Sequence, residues 1–132
     1  MRGSMMQPRA LLPVLLSSAN QAVADLLYVS SYSGSVTTLN LTAAAGGSTV
    51  PALKAVSSSQ GCGASPSWLT LDHANAVLYC LDEAVSGGQG SLASLRTNSD
   101  GSLTQLDLVK SVNGPVSAVI YGEKGNGLTM AH

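Results

Sequence analysis

Apolar and polar positions along the chain alternate in short runs. Trp68-Leu69-Thr70-Leu71 and Leu103-Thr104-Gln105-Leu106 show the two-residue period of β-strands with both faces engaged. No long segment carries apolar residues at helical spacing, apart from a short stretch near the N-terminus. Strands are expected at Pro66–Leu71, Ala76–Leu81, Ser91–Arg96 and Leu103–Val109. The segments between them carry turn chemistry. Asp72-His73-Ala74-Asn75 turns from the first to the second, Ser86-Gly87-Gly88-Gln89-Gly90 loops to the third, and Asn98-Ser99-Asp100-Gly101-Ser102 forms the hairpin to the fourth. Asn113-Gly114-Pro115 then opens another unit, with Glu123-Lys124-Gly125-Asn126-Gly127 at its first turn.

The pattern repeats. Leu27-Tyr28-Val29-Ser30-Ser31 returns as Leu78-Tyr79-Cys80-Leu81-Asp82, and Gly34-Ser35-Val36-Thr37-Thr38-Leu39 as Gly90-Ser91-Leu92-Ala93-Ser94-Leu95. Leu53-Lys54-Ala55-Val56 returns loosely as Leu106-Asp107-Leu108-Val109, and Pro66-Ser67-Trp68-Leu69-Thr70-Leu71 as Pro115-Val116-Ser117-Ala118-Val119-Ile120. These segments recur in one order at a period of roughly fifty residues, the spacing of four-stranded propeller blades. One twisted four-stranded sheet cannot bury both faces alone, so blades stack until a ring closes. The expected fold is all-β, with about two four-stranded blades of an incomplete ring, since propellers need about 4–8. The chain is expected to be the first part of a longer protein. Further blades or self-association would cover its open faces.

Composition narrows the functions. Charged residues make up 10% and the net charge is -1. Arg2, Arg9, Lys54, Arg96, Lys110 and Lys124 are scattered, which excludes the basic patch that nucleic-acid binding needs. Residues 1–24 read as a secretory leader: Arg2 and Arg9, then Ala10-Leu11-Leu12-Pro13-Val14-Leu15-Leu16, then Ala22-Val23-Ala24 as a cleavage pattern. Residues 25–132 form the domain. An amphipathic lead-in, or a tag remnant at Met1-Arg2-Gly3-Ser4, is the other reading of the start, and a cytoplasmic location goes with it. The apolar run is too short to span a bilayer. In a secreted protein Cys62 and Cys80 can form a disulfide; they fit equally as small buried apolar residues. Asn40-Leu41-Thr42 is an N-glycosylation sequon on the same condition.

The second unit resembles the lactonase-type seven-bladed propellers, the group of bacterial 6-phosphogluconolactonase and fungal 3-carboxy-cis,cis-muconate cyclase. The resemblance rests on Pro66-Ser67-Trp68-Leu69-Thr70-Leu71-Asp72, on Val77-Leu78-Tyr79-Cys80-Leu81-Asp82-Glu83, and on Gly90-Ser91-Leu92-Ala93-Ser94-Leu95-Arg96 with Gly101-Ser102-Leu103-Thr104. Leu27-Tyr28-Val29-Ser30-Ser31-Tyr32-Ser33-Gly34-Ser35-Val36 fits the opening of a blade in that group. The resemblance implies an active site in a central channel. It implies either hydrolysis of a sugar lactone or reversible closure of a carboxylated muconate, with cations to hold the substrate anion and an acid/base to move a proton. The candidate His, Arg and Glu of the cyclases come from later blades, so this chain is expected to be inactive alone. Val116-Ser117 and Ala131-His132 depart from the bacterial pattern and favour the cyclase-like branch. The rival expectation is a secreted propeller that binds without catalysis. A small β domain stabilised by Cys62–Cys80 is the third.

Ser67 and Ser117, at the same place in successive units, are expected to face the channel, with Glu83 at its mouth and His132 as a channel residue; ordinary structural or solvated roles compete for each. Asp72-His73 reads as a turn rather than a catalytic pair. No spacing of Cys62, His73, Cys80 and His132 matches a metal site, and Gly61-Cys62-Gly63 and Gly122–Gly127 match no complete phosphate loop, so no cofactor is expected.

Overall fold

In a computed structural model the described residues are 24–42, 51–122 and 127–131. They form strands and turns only. The strands are β1 (Ala24–Ser31), β2 (Ser35–Thr42), β3 (Ala52–Ser59), β4 (Pro66–Asp72), β5 (Val77–Asp82), β6 (Ser91–Thr97), β7 (Leu103–Lys110), β8 (Ser117–Tyr121) and β9 (Gly127–Ala131). They pair in chain order into three antiparallel sheets, β1-β2-β3, β4-β5-β6-β7 and β8-β9. The four strands expected in the second unit are present, each reaching one residue further at its end. Ala76 is not part of β5. It takes a positive φ of 53° and belongs to the preceding turn.

Nine described strands amount to about two four-stranded blades, as expected, spread over three sheets. Only the middle sheet has four strands among the described residues. The repeat makes β1, β2 and β3 the counterparts of β5, β6 and β7, and makes β8 and β9 the counterparts of β4 and β5. The described chain therefore enters its first blade at the second strand position. It then completes one blade and begins a third.

The blades pack face to face. Val36 of the first sheet meets Leu78, Cys80, Ala93 and Leu95 of the second, with Cys62 beside them, all fully or almost fully buried. Tyr28, Leu69 and Leu103 close this core at its edges. The Asp-Gly hairpin between β6 and β7 locks the outer corner. Ser57 donates its hydroxyl to the Gly101 carbonyl at 2.7 Å. Gly101 has φ 84°, and a Cβ there would come within 2.8 Å of Val56, so both conformation and space require glycine. On the other side of the middle blade, the Trp68 Nε1 donates to the Ala118 carbonyl at 3.0 Å, as does the Thr70 hydroxyl at 2.9 Å. These bonds join β4 and β8, edge strands of their sheets. The faces without a described neighbour stay apolar and open: Leu27, Val29 and Leu53 on the first blade, Val119 and Tyr121 on the third.

Candidate functional site

β4 and β8 are edge strands of neighbouring sheets that meet each other, and the rim where both begin is the candidate mouth of a channel. Turn Tyr32-Ser33-Gly34 of the first blade, residues 60–65, and residues 83–90 gather at the same end, because β1 and β5 end there and β2 and β6 begin there.

The Asp82 carboxylate organises this rim. It is buried at the end of β5 and accepts three backbone N–H bonds: Ser65 at 3.0 Å and Ala84 at 3.0 Å on Oδ1, and Ala64 at 3.2 Å on Oδ2. A carboxylate offers several acceptor sites at once, which is why one acid can fix two chain segments. The Glu83 N–H donates to the Ser65 carbonyl at 3.0 Å and closes the same knot. Gly63, at φ 103°, lies against Asp82 so closely that a Cβ would come within 2.8 Å of its Cγ. Cys62 and Cys80 are joined in a disulfide with Cα atoms 5.7 Å apart, both fully buried, so the loop entering β4 is tied covalently to β5. Gly90 leaves room for Pro115, which would meet a Cβ at 2.5 Å. The Ser111 N–H donates to the Gly90 carbonyl at 3.0 Å, which fixes the chain entering the third blade.

The rim holds Ser67, Glu83 and Ser117 at one end of the molecule, but they are not equivalent. The register between β4 and β5 shifts between Pro66 and Trp68, so Ser67 occupies a bulge. Its Oγ is shut away from solvent and has no protein hydrogen-bond partner. Ser67 itself is half-buried at the start of β4. Ser117 is half-buried at the start of β8, opposite Ala131. Glu83 is half-buried and accepts the Tyr32 hydroxyl on Oε2 at 2.9 Å. Tyr32 and Glu83 occupy corresponding repeat positions in adjacent blades, so this bond runs from blade to blade along the rim. The hydrogen bond to Glu83, and then its negative charge, raise the Tyr32 pKa above its ordinary 10.0. His132 lies outside the described residues, as do residues 1–23 of the expected leader.

Asn40 lies in the middle strand of the first blade, paired on both sides, with its amide Oδ1 buried. The residue as a whole is half-buried. At the opposite end of the molecule, a cleft of about 550 Å³ between the first two blades is bordered by Asp25, Leu26, Tyr28, Leu71, His73 and Asn98, among others. Asp72 does not orient His73 there. Its Oδ1 accepts the Asn75 N–H at 3.1 Å and its Oδ2 the Asn75 side-chain amide at 2.7 Å, and the latter bond lowers the Asp72 pKa below 3.8. The pair is a turn, not a dyad.

The sequence matches the family described as "Lactonase, 7-bladed beta-propeller" over residues 24–132. The chain belongs to the lactonase family of seven-bladed propellers. No curated protein and no solved structure matched it. The match begins at Ala24, the first residue of β1, and spans all three sheets. β4 and β8 meet where the second and third blades pack together. Neither carries a His, Arg or Lys. The described cations sit elsewhere: Lys54 in β3, Arg96 in β6 and Lys110 at the end of β7. Among the described residues no group of three or more His, Cys, Asp and Glu is placed to hold a metal. No described helix is long and apolar enough to cross a membrane. Sequence reasoning quoted Asp82 and Tyr32 only as repeat residues. A strand-end Asp just before the loop was the one signal for the former, and the repeat spacing of Tyr32 and Glu83 for the latter.

Proposed function

We propose that this chain supplies blades to a lactonase-type propeller whose channel takes a small lactone or carboxylated substrate, and whose reaction is lactone hydrolysis or lactone-forming cycloisomerisation. The observation that carries the reading is the family match across every described strand. The rigid rim at the start of β4 supports it: Asp82 and Cys62–Cys80 fix two segments where a substrate would enter. Both reactions need a cation for the substrate anion and a group to move a proton. Since β4 and β8 lack His, Arg and Lys, those groups belong to other blades, and these strands serve as wall and rim.

The test is to assay the complete natural protein with a sugar lactone and with a carboxylated muconate, following lactone opening or closure. Turnover of either supports an enzyme and chooses the branch. Tight binding of a carboxylated ligand without turnover favours the second reading, a propeller that binds without catalysis, which the lack of cations on β4 and β8 also favours. Neither turnover nor binding refutes both.

A further inference from the structure

The loop that leads from the second blade into the third carries Asn113-Gly114. A glycine after asparagine leaves its backbone nitrogen open to the side-chain amide, because no Cβ stands in the way. The surroundings then decide whether the two can meet. Asn113 and its neighbour Val112 are exposed. Gly114 has φ 60°, and no atom beyond its chain neighbours lies within 4 Å of where a Cβ would stand. Among the described residues no hydrogen bond holds the Asn113 side chain or the Gly114 N–H.

The other described steps of this kind are held. Asp100-Gly101 has aspartate in place of asparagine. There Asp100 Oδ1 accepts the Ser102 N–H at 2.9 Å and the Ser102 hydroxyl at 2.7 Å, while the Gly101 N–H donates to the Asn98 carbonyl at 2.9 Å. Asn75 is followed by Ala76, and its amide donates to Asp72 at 2.7 Å. Asn98 is followed by Ser99, and its amide donates to Ser102 and Thr104, each at 3.0 Å. Asn40 lies in mid-strand, paired on both sides.

We propose that Asn113 is a site of spontaneous conversion to aspartate and isoaspartate. The Gly114 nitrogen attacks Cγ of Asn113 and forms a C–N bond, closing a succinimide ring. The bond from Cγ to the amide nitrogen breaks, and that nitrogen leaves as ammonia with the proton from Gly114. Water then opens the ring. Attack at the side-chain carbonyl gives aspartate; attack at the main-chain carbonyl gives isoaspartate, with the main chain running through Cγ. Either product replaces a neutral amide by a carboxylate, one unit more negative than the -1 of the unaltered chain. The iso form also adds a carbon to the main chain of a short loop. That loop closes on Gly90, whose carbonyl accepts the Ser111 N–H at 3.0 Å and whose missing Cβ makes room for Pro115. The added length falls between these two anchors and shifts the entry to β8.

The test is to age the full chain at mildly alkaline pH, folded and in urea, and to map it with trypsin and mass spectrometry. Cleavage after Lys110 and Lys124 isolates Asn113 from Asn126, the asparagine of the other Asn-Gly step, which lies outside the described residues. In the folded chain Asn113 should lose ammonia at least about tenfold faster than Asn75 or Asn98, which must first give up hydrogen bonds. In urea the Asn113 rate should stay within about threefold of the folded value, while Asp100 should begin to isomerise. A folded Asn113 no faster than Asn75 and Asn98 overturns the inference, and so does a rise of about tenfold in urea, which would mean that the fold protects it. Asn113→Gln should leave the peptide of residues 111–124 unconverted; conversion there at the original rate overturns the inference too. Trp68, the lone tryptophan, donates its indole N–H to Ala118 in β8. Its emission should move to longer wavelength as the iso form accumulates, and not in Asn113→Gln. Constant emission in fully converted protein overturns the shift at the entry to β8.

Discussion

Removing the Asp82 carboxylate should loosen the entry to β4. Asp82→Ala strips the acceptor from three N–H groups, those of Ala64, Ser65 and Ala84. Ser65 is buried, so its N–H is left without water, at about 1–3 kcal/mol. Ala64 is exposed and Ala84 half-buried, so their donors partly recover water and lose only about 1 kcal/mol each. The sum is about 3–5 kcal/mol. Asp82→Asn keeps an Oδ1 for Ser65 and Ala84 and turns an amide NH2 toward Ala64, so it should cost only about 1–2 kcal/mol. Urea unfolding with linear extrapolation measures both, and hydrogen exchange over residues 61–66 locates the loss. If Asp82→Ala costs less than about 0.5 kcal/mol, the carboxylate does not hold the loop. If Asp82→Asn costs as much as Asp82→Ala, negative charge rather than acceptor geometry is what matters, and the account given of the rim is wrong.

Breaking Cys62–Cys80 with Cys62→Ser plus Cys80→Ser should cost about 3 kcal/mol, the loop-closure value for a link across 18 residues, and reduction of the unaltered protein should give a similar loss in the same urea titration. Asn75→Ala should release Asp72 toward the ordinary carboxylate range. Because the folded pKa of Asp72 is depressed, its stabilisation is complete above about 3.8 and fades as pH falls through the lower folded value, so the variant should be less stable than the unaltered protein at pH 7 and the difference should vanish as pH falls below that folded value, as urea unfolding at the two pH values measures. For Tyr32 the sign reverses. Its folded pKa is raised, so the stabilisation is complete below about 10 and is lost as pH rises through the higher folded value; ultraviolet titration should show one tyrosine ionising late, and Glu83→Gln should bring it down. No shift of that tyrosine in Glu83→Gln would mean that the rim bond does not form in solution.

The repeat made the second blade legible almost to the residue, because turn signals such as Asn98-Ser99-Asp100-Gly101-Ser102 bracket each strand and alternation fixes the faces. The distribution of strands over three sheets was less legible. Sequence similarity shows that β1 corresponds to β5, but not whether a strand lies inside it. The bulge at Ser67 was not legible either, because no residue pattern at Pro66-Ser67-Trp68 announces a shift in register. Asp82 was hidden because its partners are backbone N–H groups of a loop distant in sequence. Such partners have no side-chain signature. Asn40 shows the converse, a motif plain in sequence whose place in the middle strand of a sheet only the fold reveals.

The charge on this rim sets a limit on what these blades do to a substrate. Glu83 is held by Tyr32, and no cation lies on β4 or β8, so under the proposed function a carboxylated substrate would meet the negative charge of Glu83 on this side. One carboxylate repels an anion about 10 Å away by about 0.4 kcal/mol in water, before salt screens it further. That is too small to bar entry and amounts to about a twofold bias, directing the substrate's anion toward whichever blades carry the cations. Glu83→Gln in the complete protein should therefore lower KM for a carboxylated substrate by no more than about twofold, with kcat unchanged and the effect vanishing at high salt. A tenfold change in kcat would place Glu83 in contact with the reacting atoms and overturn its role as a rim residue.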